Sequence, residues 1–477
     1  MRSALLLSGY LRTLKLNLHN IKKQILEKFD TVDVYIHITK NENIDDKYFN
    51  PSNYYESLKI IEDELSPKVI LSESNYIFSE NKRKNDLYNT WFKFYKLNLL
   101  KREQEKLSGK YDVVIKMRPD VNLKFVNFDY DFKDDIIIPE NDVVDKNKLK
   151  DESDNYLCDI IAFGSSDKMN DYFNIYSKLE ELSNVHGYVS ETILYHYLNN
   201  FGINYKKDHI EYEVVLSMCN IFAICGDSGS GKSTLGKLLK NYFSKSFLLE
   251  CDRYHKWERN DTNWKTYTHL NPEANFISKM ENDVFNLKIG NSIFQVDYDH
   301  NTGTFKDPEK INNSDNIIVC GLHSLYTDNK YVYDISIFMD PDEKLKIKWK
   351  VDRDVKNRGY TKEKVLNQIN IRKTDYTKYI LPQKEDSDLI INFYENDNEF
   401  LNLNVYIKKK HSLDKIISVL SKYKIPYKIK SELKFNVISF NKYVYCELWN
   451  FGIPQEPELQ YYNYIFYIIL NLNNDSL

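Results

Sequence analysis

Residues 226–233 read GDSGSGKS and satisfy the pattern G-x-x-x-x-G-K-[ST]. Three of the chain's 14 glycines, Gly226, Gly229 and Gly231, fall inside this short stretch. Without a Cβ at those positions, successive backbone N–H groups can approach phosphate oxygens, and the helix that follows adds the positive end of its dipole. Lys232 would reach the β- and γ-phosphates, and the Ser233 hydroxyl would ligate Mg2+. The expected ligand is ATP or another nucleoside triphosphate, lined by Gly226, Asp227, Ser228, Gly229, Ser230, Gly231, Lys232, Ser233 and Thr234.

A second pairing stands nearer the amino terminus. KYDVVIKMRPDV (110–121) places Arg118 and Asp120 just beyond a buried apolar run, and ALLLSG followed by Tyr10, Leu11 and Arg12 places a glycine turn and a cation beyond another. An arginine and a carboxylate at a strand end could hold a diphosphate and its metal, with Asp120 as metal ligand and Asp159 and Glu191 as helpers. The same two residues could instead form a structural ion pair.

These groups need strands that end where they begin. Apolar runs at 4–9, 32–38, 68–71, 112–117, 135–139 and 159–164 predict buried strands, and residues 16–29 and 87–107 carry apolar positions at helical spacing. This alternation predicts an α/β domain over residues 1–213, with helices on the faces of its sheet. IFAIC (221–225) and KSTLGKLLKNYF (232–243) supply the strand and helix that flank the phosphate loop, opening a second α/β domain over 214–398 with a parallel sheet. Residues 399–477 read strand, helix, strand, strand and a Tyr-rich tail, a small α+β extension.

The composition narrows the function classes. With 66 basic and 70 acidic residues the formal net charge is −4, which disfavours a broad nucleic-acid surface while leaving room for a local cationic patch. The six cysteines show no C-x-x-C spacing, so reduced, buried thiols are expected. No apolar run is long enough to span a bilayer, YYNYIFYIIL (461–470) included, and no signal-peptide pattern is present, so a soluble, cytoplasmic protein is expected, with oligomerisation open.

Downstream of the phosphate loop a series of segments occurs in order: CDRYHKWER (251–259), THLNPEAN (268–275), VDYDHNTGTF (296–305), GLHSLY (321–326), KWKVDRDVKNRGY (348–360), INIRKTDY (369–376) and PQKEDSDLII (382–391). Together they resemble the phosphoribulokinase and uridine kinase family. The resemblance implies a Mg-dependent kinase that moves the γ-phosphate of ATP to a hydroxyl of a sugar phosphate, sugar or nucleoside. It makes Asp252 the general base and places His255, Arg259, Tyr298 and His300 at the acceptor. Lys350, Arg353 and Arg358 would be cations of a lid helix, with Lys350 near the substrate, Arg353 at the transferring phosphoryl group and Arg358 at the nucleotide. Arg372 and Lys373 would extend that surface.

One position departs from the family pattern: the strand before GLH would end in Glu, and here it ends in Cys320. A neutral thiol is a poor ligand for Mg2+. Another acid could substitute, with Glu250 and Asp299 nearest, or the metal could be held weakly, or the domain could bind nucleotide and only regulate its neighbour. Residues 1–205 in turn resemble glycosyltransferase-like proteins of surface-polysaccharide gene clusters and large viruses, which implies a nucleotide-sugar substrate there.

Overall fold

The computed structural model describes residues 1–10, 14–40, 51–140, 155–214, 219–299, 302–444 and 457–473. The chain divides into two compact units, Met1–Leu216 and Ser217–Leu477.

In the first unit seven strands form a mixed sheet in the order Val69–Glu73, Thr31–Thr39, Arg2–Tyr10, Val113–Met117, Ile161–Gly164, Ile136–Pro139, Tyr205–Asp208. The first four run parallel, and Ile161–Gly164 is antiparallel to both of its neighbours. Leu5, Leu6 and Leu7 are fully buried, as expected of a central parallel strand covered on both faces. The helix expected over 87–107 runs Lys82–Ser108, one turn earlier, because Asn81 caps it by accepting from the N–H groups of Arg83 and Lys84. Gly109, at φ 85°, ends it. Its Trp91, Phe94 and Leu97 are fully buried against the sheet.

In the second unit eight strands form one sheet in the order Ser246–Glu250, Asn316–Cys320, Asn220–Gly226, Ile335–Met339, Leu389–Glu395, Leu401–Lys408, Phe435–Phe440, Lys428–Ser431. The first five are parallel and the last three antiparallel. Residues 399–477, read from the sequence as a small extension, thus add their strands to the edge of the same sheet, Leu389–Glu395 pairing with Leu401–Lys408 along its whole length.

The apolar segment near the carboxyl end forms the helix Tyr462–Asn473. Its Ile465, Phe466, Ile468 and Ile469 join Phe222, Ile224 and Leu235 in one core, each at 1% exposure or less. Burial of that kind contributes about 1.5–3 kcal/mol per side chain, which accounts for the hydrophobic run without a bilayer. Among the described residues no helix is long and apolar enough to cross a membrane.

Candidate active site

The strand Asn220–Gly226 lies at the centre of the second sheet, between Asn316–Cys320 and Ile335–Met339, and delivers the phosphate loop at its carboxyl end. The helix Lys232–Tyr242 leaves the loop on one face. Two glycines are required by close approach. A Cβ on Gly226 would stand 2.4 Å from the Met339 carbonyl oxygen, and one on Gly229, at φ 87°, would stand 2.7 Å from Lys350 Cβ. Lys232 Nζ donates to the Asp227 carbonyl at 2.6 Å, so the ammonium lies across the loop it belongs to.

The cations foreseen on a lid helix lie on Glu343–Arg358, which a reversal at Gly359 joins to Lys362–Asp375. Lys350 Nζ donates to Ser228 Oγ at 3.1 Å and Arg353 Nη2 to the same oxygen at 3.2 Å, tying the helix to the loop. Asp354, unassigned by sequence reading, organises them. It is fully buried and pairs with Lys350 at 3.0 Å, Arg353 at 2.8 Å and Arg358 at 3.4 Å. Burial opposes its charge, yet Lys350, Arg353 and Arg358 hold its carboxyl below the ordinary range. Burial pulls Lys350 down to about 8 against the attraction of Asp354, and the charges of Arg372 and Arg353 add to the depression. Its placement, four residues after Lys350 and four before Arg358, was the available signal.

Asp252 sits in the short turn Cys251–Tyr254 that follows the strand Ser246–Glu250. His255 Nε2 is 3.5 Å from Asp252 Oδ1, and its other ring nitrogen meets Asn275 Oδ1 at 2.7 Å. Asn275 Nδ2 donates to the carbonyls of His269 and Asn271, which makes Oδ1 the acceptor and puts the hydrogen on His255 Nδ1. Trp264, His269 and Tyr298 surround the imidazole at ring separations of 5.7, 4.8 and 5.8 Å. Burial, followed by the charges of His255 and Arg372, drives His269 down to about 2, so it is neutral at physiological pH.

Tyr298 is buried, and burial raises its phenol, with Arg259, Asp252 and Arg358 as the charges acting on it. Arg259 backs onto the turn at Gly303, whose carbonyl accepts its backbone N–H at 2.9 Å. His300 lies outside the described residues. The structure therefore brings Tyr298 within electrostatic reach of Asp252, Arg259 and Arg358, and His269 within reach of His255, Asp252 and Arg358. Trp264 and His269, which complete the wall, carried no assignment from the sequence. A cavity of about 420 Å3 beside His255 is lined by Arg253, Lys256, Phe276, Lys279 and Phe305 among others.

Cys320 pairs in register with Glu250 on the neighbouring parallel strand, so the two side chains share a sheet face. That face is covered by the loop's own helix: a Cβ on Gly236 would lie 3.6 Å from Cys320 Sγ and 3.1 Å from Leu248 Cδ1. Burial pushes the Cys320 thiol up to about 12, with Ser233 as a hydrogen-bond partner, and the group is neutral at pH 7. In the first unit, Arg118 holds both carboxylate oxygens of Asp120, at 3.0 and 2.6 Å. Among the described residues no group of three or more His, Cys, Asp or Glu side chains has the arrangement to hold a metal ion, Asp120, Asp159 and Glu191 included.

Residues 221–398 match the family described as "Phosphoribulokinase / Uridine kinase family". The chain is 37% identical over 174 residues to a phosphoribulokinase of Synechocystis sp., covering 36% of this chain and 52% of that protein. It is 29% identical over 183 residues to a uridine kinase of Staphylococcus epidermidis, covering 37% of this chain and 88% of that one. A solved phosphoribulokinase from Rhodobacter spheroides aligns at a TM-score of 0.40 with 18% identity, over 54% of this chain and 99% of its own. The chain thus spans about half the length of the Synechocystis relative. Residues 221–398 form a domain of the phosphoribulokinase/uridine kinase family.

Proposed function

We propose that Ser217–Leu477 is an ATP-dependent kinase that phosphorylates a hydroxyl of a sugar phosphate, sugar or nucleoside. One observation carries the reading. Asp252 lies at the carboxyl end of a strand in the sheet that delivers the phosphate loop, beside His255, while Lys350 and Arg353 already touch loop residue Ser228. In the reaction Asp252 takes the hydroxyl proton, the freed oxygen attacks the γ-phosphorus, and the bond to the β-bridging oxygen breaks to release ADP. Lys232, Lys350 and Arg353 face the negative charge that spreads over the phosphoryl oxygens. Arg358 joins the nucleotide side, and His255, Arg259 and Tyr298 hold the acceptor, whose anionic groups the cations favour.

Magnesium, when bound, screens the phosphate charge. The oxygen donors that suit it are Ser233 and the neighbouring acid Glu250, whereas the Cys320 thiol does not suit a hard cation. Glu250 is the natural substitute for the acid absent at 320, since it occupies the adjacent strand in register and on the same face.

For Met1–Leu216 we propose a nucleotide-sugar or related ligand, a reading supported by the resemblance of its segments and by Arg118 at a strand end. The neutral thiol at 320 favours a second reading for the kinase domain, in which it binds ATP and regulates the first unit. ADP formation on a panel of pentose phosphates and nucleosides separates the two. Acceptor-dependent turnover is expected, and tight ATP binding without turnover on any acceptor would instead support regulation.

A further inference from the structure

In Met1–Leu216 the sheet grows outward from Arg2–Tyr10 through Thr31–Thr39 and Val69–Glu73, then Val113–Met117 returns to pair on the opposite side of Arg2–Tyr10. A switch of this kind opens a crevice beyond the carboxyl ends of its two central strands, where α/β sheets take their ligands. Gly9 is the last residue but one of the strand Arg2–Tyr10, and Arg118, Pro119 and Asp120 follow Val113–Met117. They are in contact, since a Cβ on Gly9 would stand 2.8 Å from Pro119 Cδ.

Three features at this place lack their usual compensation. Lys116 is fully buried with no hydrogen-bond partner among the described residues, its Nζ lying 4.8 Å from the ring centroid of Phe94 and 5.6 Å from that of Trp91. The charges that act on it belong to Asp159, Cys158, Arg118 and Glu191, so this ammonium faces the same cluster. Arg118 gives Nε and Nη2 to Asp120, which leaves Nη1 without a partner among the described residues. Its side chain is 36% exposed against 11% for Asp120, so the arginine is the more accessible member of the pair.

The third feature is a pair of carboxyls. Asp159 is buried just before the strand Ile161–Gly164, and Glu191 opens the helix Ser190–Asn200. The helix start is pinned by Trp91 Nε1 donating to Ser190 Oγ at 3.0 Å and by the Leu157 N–H donating to the Glu191 carbonyl at 3.1 Å. Burial and then the Asp159 charge push Glu191 up to about 7, with Arg118 and Lys116 opposing. Glu191 is therefore only partly ionised near neutral pH. A purely structural ion pair needs neither an open guanidinium edge nor an orphaned ammonium nor a half-protonated acid, and each of these is relieved by a bound ligand.

We propose that this crevice is a ligand site for a sugar phosphoester, with the free edge of Arg118 on the phosphate and Asp159 and Glu191 accepting hydrogens from sugar hydroxyls. The assignment rests on the nucleotide-sugar reading of this unit and deepens it by naming the groups that would hold the ligand. The chemistry is common to a sugar monophosphate and to the diphosphate of a nucleotide sugar.

The test is calorimetric titration of the full chain at pH 7 with glucose 1-phosphate and with UDP-glucose. Binding of one or both is expected, weakened about ten-fold or more by Arg118→Gln and partly restored by Arg118→Lys. The binding heat should vary with the buffer's ionisation enthalpy in the wild type and lose that dependence in Glu191→Gln, a near-isosteric change that guards against loss of fold. Tighter binding of UDP-glucose identifies the nucleotide sugar, and equal binding identifies the monophosphate. UDP-glucose binding indifferent to both Arg118→Gln and Glu191→Gln would overturn this site while sparing the nucleotide-sugar reading. Failure of both probes to bind would overturn both, and binding lost only in Arg259→Ala would assign the ligand to the kinase domain.

Discussion

Lys350 Nζ stands 3.0 Å from the buried Asp354 and 3.1 Å from Ser228 Oγ, so a single ammonium links the acid inside one helix to the phosphate loop. Asp354 also binds Arg353 and Arg358, which means that one carboxylate sets the position of three cations. Its worth to the site is geometric: without it, like charges crowded near the loop would repel one another apart.

Asp354→Asn should therefore disorganise the cationic face without touching the base. Breaking a buried pair of this kind costs about 3–5 kcal/mol, part of which appears as lost stability and part as weaker phosphate binding. The expected result is an ATP KM raised about ten-fold or more, together with a lower Tm. An unchanged KM would mean that the cations keep their places without Asp354.

Lys350 gives a pH signature. Its ammonium is held at about 8, so raising the pH through that value discharges it and should lower kcat/KM for ATP. Stability moves the other way. The folded-state value lies below the ordinary 10.5, the folded chain binds fewer protons than the unfolded chain between about 8 and 10.5, and this contribution to stability rises with pH there. Lys350→Arg keeps its charge and should move the falling limb of the rate profile to higher pH. A limb that stays in place would assign it to another group.

The phosphate loop was legible because its chemistry is local: strand, glycine turn and helix are contiguous, and each residue type has one reason to be there. The ring of Asp252, His255 and Tyr298 was legible through resemblance. Asp354 was not, since a charged residue on a helix rich in Lys, Arg and Asp reads as solvated face until a sheet is packed against it. The same holds for Trp264 and His269, which meet His255 only after a loop closes. Sheet membership was equally hidden. Alternation predicts that residues 404–409 form a strand, but only the long pairing of Leu401–Lys408 with Leu389–Glu395 places it in the sheet that carries the phosphate loop.

The pairing of Glu250 with Cys320 makes a prediction about magnesium. If Glu250 supplies the oxygen that Cys320 lacks, Glu250→Gln should raise the half-saturating Mg2+ concentration by about ten-fold, and Cys320→Ser should leave it nearly unchanged because the thiol is protonated and uninvolved. Cys320→Glu in the Glu250→Gln background should restore much of the loss. The measurement is ATP turnover against free Mg2+, paired with Mg2+-dependent ATP binding. An indifferent Glu250→Gln would remove that residue from the metal site.

Asp252 should affect the chemical step and spare the nucleotide. It lies at the end of Ser246–Glu250 and meets His255 at 3.5 Å, whereas the contacts of the loop run through Asp227, Ser228 and Lys232. Asp252→Asn keeps the shape and removes the base, so kcat should fall by about 10²- to 10⁴-fold with ATP affinity within about two-fold of the wild type. His255→Gln should instead raise the acceptor KM more than it lowers kcat, because its ring stands in the wall with Trp264 and Tyr298. Single-turnover rates and ATP titration of the two variants separate these roles. Loss of ATP binding in Asp252→Asn would make Asp252 a nucleotide or metal ligand rather than the base.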